Sequence, residues 1–252
     1  MARASVRPLR NLLPILIASS VALPAFAAHP LISEDTGTQG PGKFELELGM
    51  SDTPSHNGGT FEFDPQLSYG VTRVVDVILR PSLFALRGED IRESGARRGF
   101  GMTAVDLKWR FAQHATWTFG TRAGIDAPTA AAGLGSSRPG GHALVMATGD
   151  FSPVIVTTNL AWTRLPSDAA SKLDLYRVSA GGLWSLRDKL RIVADVAYYS
   201  TAVEEGVAWP AVALLGAIFT VSKDVDVDVG WQARIKRPAP DHVLLVGFTF
   251  RW

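Results

Sequence analysis

The chain has 252 residues, with 25 Lys and Arg against 24 Asp and Glu, and it contains no cysteine. Near-neutral charge without a basic run argues against a nucleic-acid partner, and the lack of cysteine excludes a disulfide framework. Mean hydropathy is positive, yet beyond residue 28 no run of about 18 apolar residues could cross a membrane as a helix.

Arg3, Arg7 and Arg10 precede an apolar run from Leu12 to Leu23 and then Ala25-Phe26-Ala27. A basic start, a short hydrophobic stretch and an A-x-A site read as a cleaved secretory signal peptide over 1–27, with cleavage after Ala27 or Ala28. Pro14 and Pro24 interrupt the run and weigh against a retained anchor helix. Losing three arginines leaves a mature chain near −2, long enough for one domain.

Residues 28–42 carry no strand pattern. They are read as a periplasmic N-terminal segment, either a disordered tail or a partial plug of a barrel mouth, with Glu34 and Asp35 available to lumen arginines. From residue 43 to 252 apolar and polar residues alternate with period two. Phe44, Leu46 and Leu48 oppose Glu45 and Glu47, and Phe61, Phe63, Leu67 and Tyr69 oppose Glu62, Asp64 and Gln66. Val75, Val77, Leu79 and Leu83 oppose Asp76 and Arg80, within a strand expected over 75–86. Val105, Leu107, Trp109 and Phe111 oppose Asp106, Lys108 and Arg110, and the next run opposes Arg122 and Asp126.

Further strands are expected over 141–151, 154–164, 173–186, with Arg177 on the polar face, and 190–200, with Asp195. Residues 207–221 are apolar on both faces, so their inward side stays open. Val225, Val227, Val229 and Trp231 oppose Asp226, Asp228, Gln232 and Arg234, and HVLLVGFTFRW closes the chain. The total is about twelve strands.

A soluble sandwich also alternates, but two features favour a membrane barrel. Short connections (70–74, 112–115, 152–153, 187–189, 222–224) alternate with longer ones (51–59, 87–99, 127–140, 165–172, 201–206, 237–240), as periplasmic turns and external loops do. The tryptophans also gather at the strand ends, with Trp109, Trp117, Trp184 and Trp252 near short turns and Trp162 and Trp209 near long loops. That is the pattern of two interfacial belts. The fold expected is all-β: a transmembrane up-and-down antiparallel barrel in the outer membrane of a Gram-negative bacterium, closed because lipid satisfies no free strand edge.

The opening His29-Pro30-Leu31-Ile32-Ser33-Glu34-Asp35-Thr36-Gly37-Thr38-Gln39-Gly40 resembles that of the outer-membrane transporter family described as the "MetA-pathway of phenol degradation". So do Tyr69-Gly70-Val71-Thr72, Asp106-Leu107-Lys108-Trp109-Arg110-Phe111, Pro128-Thr129 with Gly133-Leu134-Gly135-Ser136, and the tail from Pro210 through His242. Ala130-Ala131-Ala132 departs from the polar, acidic loop expected there. The resemblance implies passage of small molecules, aromatic ones among them, across the outer membrane.

The lumen candidates are Arg80, Asp106, Lys108, Arg110, Arg122, Asp195, Asp226, Asp228 and Arg234. They are read as a basic stripe (Arg80, Lys108, Arg110, Arg122) facing an acidic one (Asp195, Asp226, Asp228) across a narrow pore. A network of ion pairs filling the barrel, as in a structural or adhesive barrel, is the alternative. No G-x-S-x-G elbow or metal spacing accompanies His114, His142 or His242, so no enzyme, cofactor or metal is expected. The partners expected are outer-membrane lipid, the barrel-assembly machinery through the C-terminal strand, and a small-molecule solute, but no nucleic acid.

Overall fold

A computed structural model describes residues 29–167, 174–200, 209–237 and 239–252. The signal-peptide reading of 1–27, most of loop 165–172 and all of loop 201–206 therefore lie outside the described residues. The strands follow the chain: β1 (Phe44–Ser55), β2 (Gly58–Gly70), β3 (Val75–Arg80), β4 (Leu83–Gly88), β5 (Arg98–Phe100), β6 (Thr103–His114) and β7 (Trp117–Ala127). They continue with β8 (Gly140–Phe151), β9 (Val154–Arg164), β10 (Asp174–Arg187), β11 (Leu190–Tyr199), β12 (Ala211–Ser222), β13 (Val225–Lys236) and β14 (His242–Arg251).

Every pairing is antiparallel. Two strands are interrupted. β2 pairs with β3 through Leu67↔Leu79 and with β4 through Phe63↔Leu83, and β3 and β4 in turn pair with β6 and β5. Pro81, which donates no backbone hydrogen bond, breaks the first, and the break is bridged where Gly101 N donates to Ser82 O at 2.8 Å. The staves therefore number twelve. The sheet closes where β1 meets β14, with Leu48 opposite Phe248, and Phe44 and Trp252 exchange backbone hydrogen bonds of 2.9 and 3.1 Å.

Burial is inverted relative to a soluble core. Asp76 is 1%, Glu45 and Asp106 3% and Arg122 5% exposed, while Leu107 is 52%, Leu160 58% and Leu215 63% exposed. Polar residues line the inside and apolar residues face outward, as a barrel in lipid requires and a sandwich forbids. Aromatic contacts mark both rims. At the short-turn rim Phe44 stacks on Trp252 at 5.6 Å and Trp117 meets Phe151 edge-on at 5.5 Å; at the loop rim Trp231 stacks on His242 at 4.8 Å.

Two long loops are shorter or more ordered than the pattern suggests. Residues 51–59 are not a loop: β1 and β2 run on to Ser55↔Gly58, leaving a turn at His56-Asn57. Both faces of that extension are polar or small, so no apolar period announces it. Residues 87–99 hold the end of β4, the six-residue helix α1 (Glu89–Ser94) and the start of β5. The doubly apolar stretch resolves as β12, with Val212, Leu214 and Ile218 inward and Leu215 and Phe219 outward. Its inner face is apolar because it packs against residues 31 and 32.

Candidate functional site

Residues 29–39 run inside the barrel and pass its staves in descending order. His29 Nδ1 is hydrogen-bonded to Asp228 Oδ1 of β13 at 2.6 Å. Pro30 follows, lying against Gly216 of β12 and Gly230 of β13, where a Cβ would sit 2.9 and 2.8 Å from its ring. Glycine at those two points makes the bed into which the proline fits. Leu31 and Ile32 then pack on Leu183 of β10, Val193 of β11, and Leu214 and Ile218 of β12.

Beyond Ile32 the contacts turn polar. Ser33 donates from its amide to Asp195 Oδ2 (2.6 Å) and from its hydroxyl to Ser179 Oγ (2.9 Å). Asn159 of β9 grips the Glu34 backbone from both sides, accepting from its amide at 2.6 Å and donating to its carbonyl at 2.8 Å. The Glu34 carboxylate meets Lys108 Nζ of β6 at 3.0 Å and Arg122 Nη1 of β7 at 2.9 Å. Asp35 accepts from Gly37 N at 2.6 Å, which turns the chain.

Thr36 bonds Thr148 of β8 and Thr118 of β7, and Thr38 Oγ1 donates to Arg73 O between β2 and β3 at 2.9 Å. Gln39 reaches Asp76 of β3 at 3.0 Å through its amide and Glu45 of β1 at 2.7 Å through its side chain. The segment thus follows the inner wall almost once round before entering β1.

Burial alone would raise the Glu34 pKa, but Arg122 and Lys108 outweigh it and hold the carboxyl down at about 2. At His29 burial favours the neutral ring. The hydrogen bond and charge of Asp228, with Glu47 and Asp64 nearby, reverse that and raise its pKa.

The lumen candidates meet different partners. Lys108 and Arg122 meet Glu34. Asp106 accepts from Arg122 Nε at 2.8 Å and contacts His142 Nε2 at 2.6 Å, and His142 also contacts Asp126 at 3.2 Å. Asp195 and Asp228 hold the segment, whereas Asp226 is bound by wall groups: Arg191 at 2.8 Å, Arg251 at 2.9 Å and Thr220 at 2.6 Å.

Two candidates lie toward the rims. Arg110 donates to Arg73 O at 2.9 Å near the short-turn rim, and Arg234 pairs with Asp241 and reaches Ala239 O near the loop rim. The expected opposed stripes do not stand as an open field, since residues 29–39 lie between them and meet charges on both sides. Arg80 makes no hydrogen bond or ion pair with a described residue. Arg177, on the inward parity of β10, stands beside it, with its Nε buried and without a partner among the described residues.

Two cavities flank the segment. One of about 280 Å³ is lined by Glu45, Glu47, Asp64 and Asp76 of the wall. The other, about 560 Å³ and toward the loop rim, is lined by Leu144, Ala161, Tyr199 and Val212 among apolar groups. Ile32, Glu34, Arg80, Arg122 and Arg177 border both. Among the described residues no group of three or more His, Asp or Glu is placed to hold a metal ion.

No family model and no curated protein matches the chain. Solved structures do. The COG4313 outer membrane channel from Pseudomonas putida F1 superposes with a TM-score of 0.66 at 10% identity, over 87% of this chain and 100% of that one. The NanC porin gives 0.58 at 9% identity (82% and 98%), and the KdgM porin 0.54 at 8% (82% and 98%). The fold is that of an outer-membrane β-barrel: twelve closed strands, lipid-facing outside and polar within. This chain shares that architecture, with its N-terminal segment lodged in the lumen.

Proposed function

We propose that the protein is a passive outer-membrane channel for small solutes, narrowed by its own residues 29–42, with the short-turn rim in the periplasm. The observation that carries this reading is that the strands do not fill the barrel themselves. A separate segment and two cavities occupy the middle, unlike the side-chain-packed interior of the smallest barrels. The mixed lining of the larger cavity, with Leu144, Ala161, Tyr199 and Val212 beside arginines, suits small molecules that combine an apolar or aromatic body with a polar group. The resemblance to the phenol-degradation transporters points the same way. The C-terminal strand ending in Trp252 is proposed as the element read by the barrel-assembly machinery.

Planar-bilayer recording tests the reading. Wild type should give small discrete conductance, and a variant lacking residues 30–39 should conduct several times more. If both forms were silent, the structural-barrel alternative would replace the channel.

A further inference from the structure

The larger cavity holds more cationic groups than its carboxylates answer. Of its two lining carboxylates, Glu34 is bound by Lys108 and Arg122, and Asp126 contacts His142. Two more guanidinium groups, Arg80 and Arg177, project onto the same lining and form no hydrogen bond or ion pair with any described residue. Arg177 Nε is fully buried without a partner. Opposite charges act on these arginines only at longer range: Glu34 and Asp195 on Arg177, Glu62 and Asp64 on Arg80. Glu34 and Asp195 are already engaged. The two arginines also lie close enough to repel each other. A buried guanidinium nitrogen without an acceptor, as at Arg177, is costly, and the second unpaired cation, the half-buried Arg80, adds repulsion unless an anion joins the two.

We propose that Arg80 and Arg177 form a binding site for a small organic carboxylate with an apolar body, seated in the loop-side chamber above Ile32. The planar fork of arginine matches a carboxylate with two parallel hydrogen bonds. Leu144, Ala161, Val212 and Tyr199 supply a wall that a hydrocarbon body covers and an inorganic anion does not. A volume of about 560 Å³ is of ligand-site size. Beyond Ile32 and Glu34 the smaller cavity presents Glu45, Glu47, Asp64 and Asp76, so the arginines are the last favourable stop for an anion on the loop side. The site rests on the channel reading only in that its ligand would be the solute carried.

Titration calorimetry on the full-length protein in detergent, with benzoate as the probe, tests the site. Wild type should bind saturably. Arg177→Gln and Arg80→Gln should each weaken binding about tenfold or more, as expected for loss of a charge-assisted pair. Arg177→Lys should recover only part of the loss, because it keeps the charge but not the fork. Benzyl alcohol and inorganic phosphate should both bind far more weakly. Arg234→Gln, at the loop rim, should bind as wild type does.

Heat-modifiable gel migration would show that each variant is folded. No binding by folded wild type, or undiminished binding by the double glutamine variant, overturns the proposal. Equal binding of benzyl alcohol or of phosphate would also overturn it, by removing the need for the charge or for the apolar body. Benzoate binding by a barrel silent in bilayers would remove the channel and leave the site. Conductance without benzoate binding would do the reverse.

Discussion

On the β10–β12 side of the lumen, Leu31 and Ile32 lie on Leu183, Val193, Leu214 and Ile218, a wall that would otherwise be an apolar strip facing water. On the β6–β7 side, Glu34 lies on Lys108 and Arg122, whose charges the wall answers only in part through Asp106. The two regions hold one segment by opposite means. The apolar side contributes burial, which is non-directional and tolerates a small slip. The charged side contributes direction, because a buried cation left without its carboxylate is penalised more than a lost contact. Position along the wall is therefore fixed mainly by Glu34, while Leu31 and Ile32 add adhesion.

That division is broken most severely at Glu34. Replacing it by alanine should weaken docking of the segment by about 3 kcal/mol or more, the penalty for removing one member of a buried pair. A reporter is simple to build because the chain has no cysteine. Thr38 is 6% exposed, so a Thr38→Cys variant should label with maleimide only when the segment leaves the wall, and Glu34→Ala should raise the labelling rate about a hundredfold. Acid should have a similar effect. The Glu34 pKa lies below its ordinary 4.5, at about 2, so its stabilisation is present above pH 4.5 and is lost as pH falls toward 2. Unchanged labelling in Glu34→Ala would remove the charged side from the argument.

The apolar side should yield a smaller effect. Ile32 is half-buried and touches both apolar clusters, so Ile32→Ala should weaken docking by about 2 kcal/mol, near the low end for such truncations. Labelling of the same Thr38→Cys reporter should rise about thirtyfold. A loss larger than that of Glu34→Ala would invert the comparison.

Much of this was legible in the sequence, and the limits are physical. Period-two alternation and alternating loop lengths give twelve staves because lipid forces the outer face to be apolar at every span. The β12 stretch defeated that reading for a good reason: its inner face is apolar toward Leu31 and Ile32, so both parities look lipid-facing. For residues 29–42 the sequence left tail and plug open, since a segment without regular structure has no period to read. Inward parity marked Arg80 and Arg177 but could not distinguish them from Lys108 and Arg122. Pairing across the lumen depends on which residue of the segment arrives at which stave. Parity also placed Arg110 and Arg234 in the lumen without telling that each would serve a rim.

A subtler change sharpens the comparison at the start of the segment. His29 faces Asp228 of β13, with Glu47 of β1 and Asp64 of β2 in range. Its pKa is raised above 6.5, so its contribution to docking is complete below pH 6.5 and fades as pH rises through the folded value. Labelling of the Thr38→Cys reporter should therefore increase on the alkaline side, and His29→Gln should flatten that rise while leaving the acid limb of Glu34 intact. A rise of the same size in His29→Gln would assign the alkaline response to another group.

The smallest effect is expected where the segment crosses from the apolar wall to the charged one. Ser33 is 1% exposed, and its hydroxyl bonds Ser179 Oγ and Asp195 Oδ1 while its amide bonds Asp195 Oδ2. Ser33→Ala removes the hydroxyl bonds but keeps the amide bond, so Asp195 retains a donor and is not orphaned. The cost should be about 1 kcal/mol, that of ordinary hydrogen bonds, with only the Ser179 hydroxyl losing its partner, or roughly a fivefold rise in labelling of the Thr38→Cys reporter. Asp195→Asn in the same background should add little, because an amide oxygen still accepts from the Ser33 amide. If Ser33→Ala instead matched Glu34→Ala, the crossing point and not the Glu34 pair would set the position of the segment in the lumen.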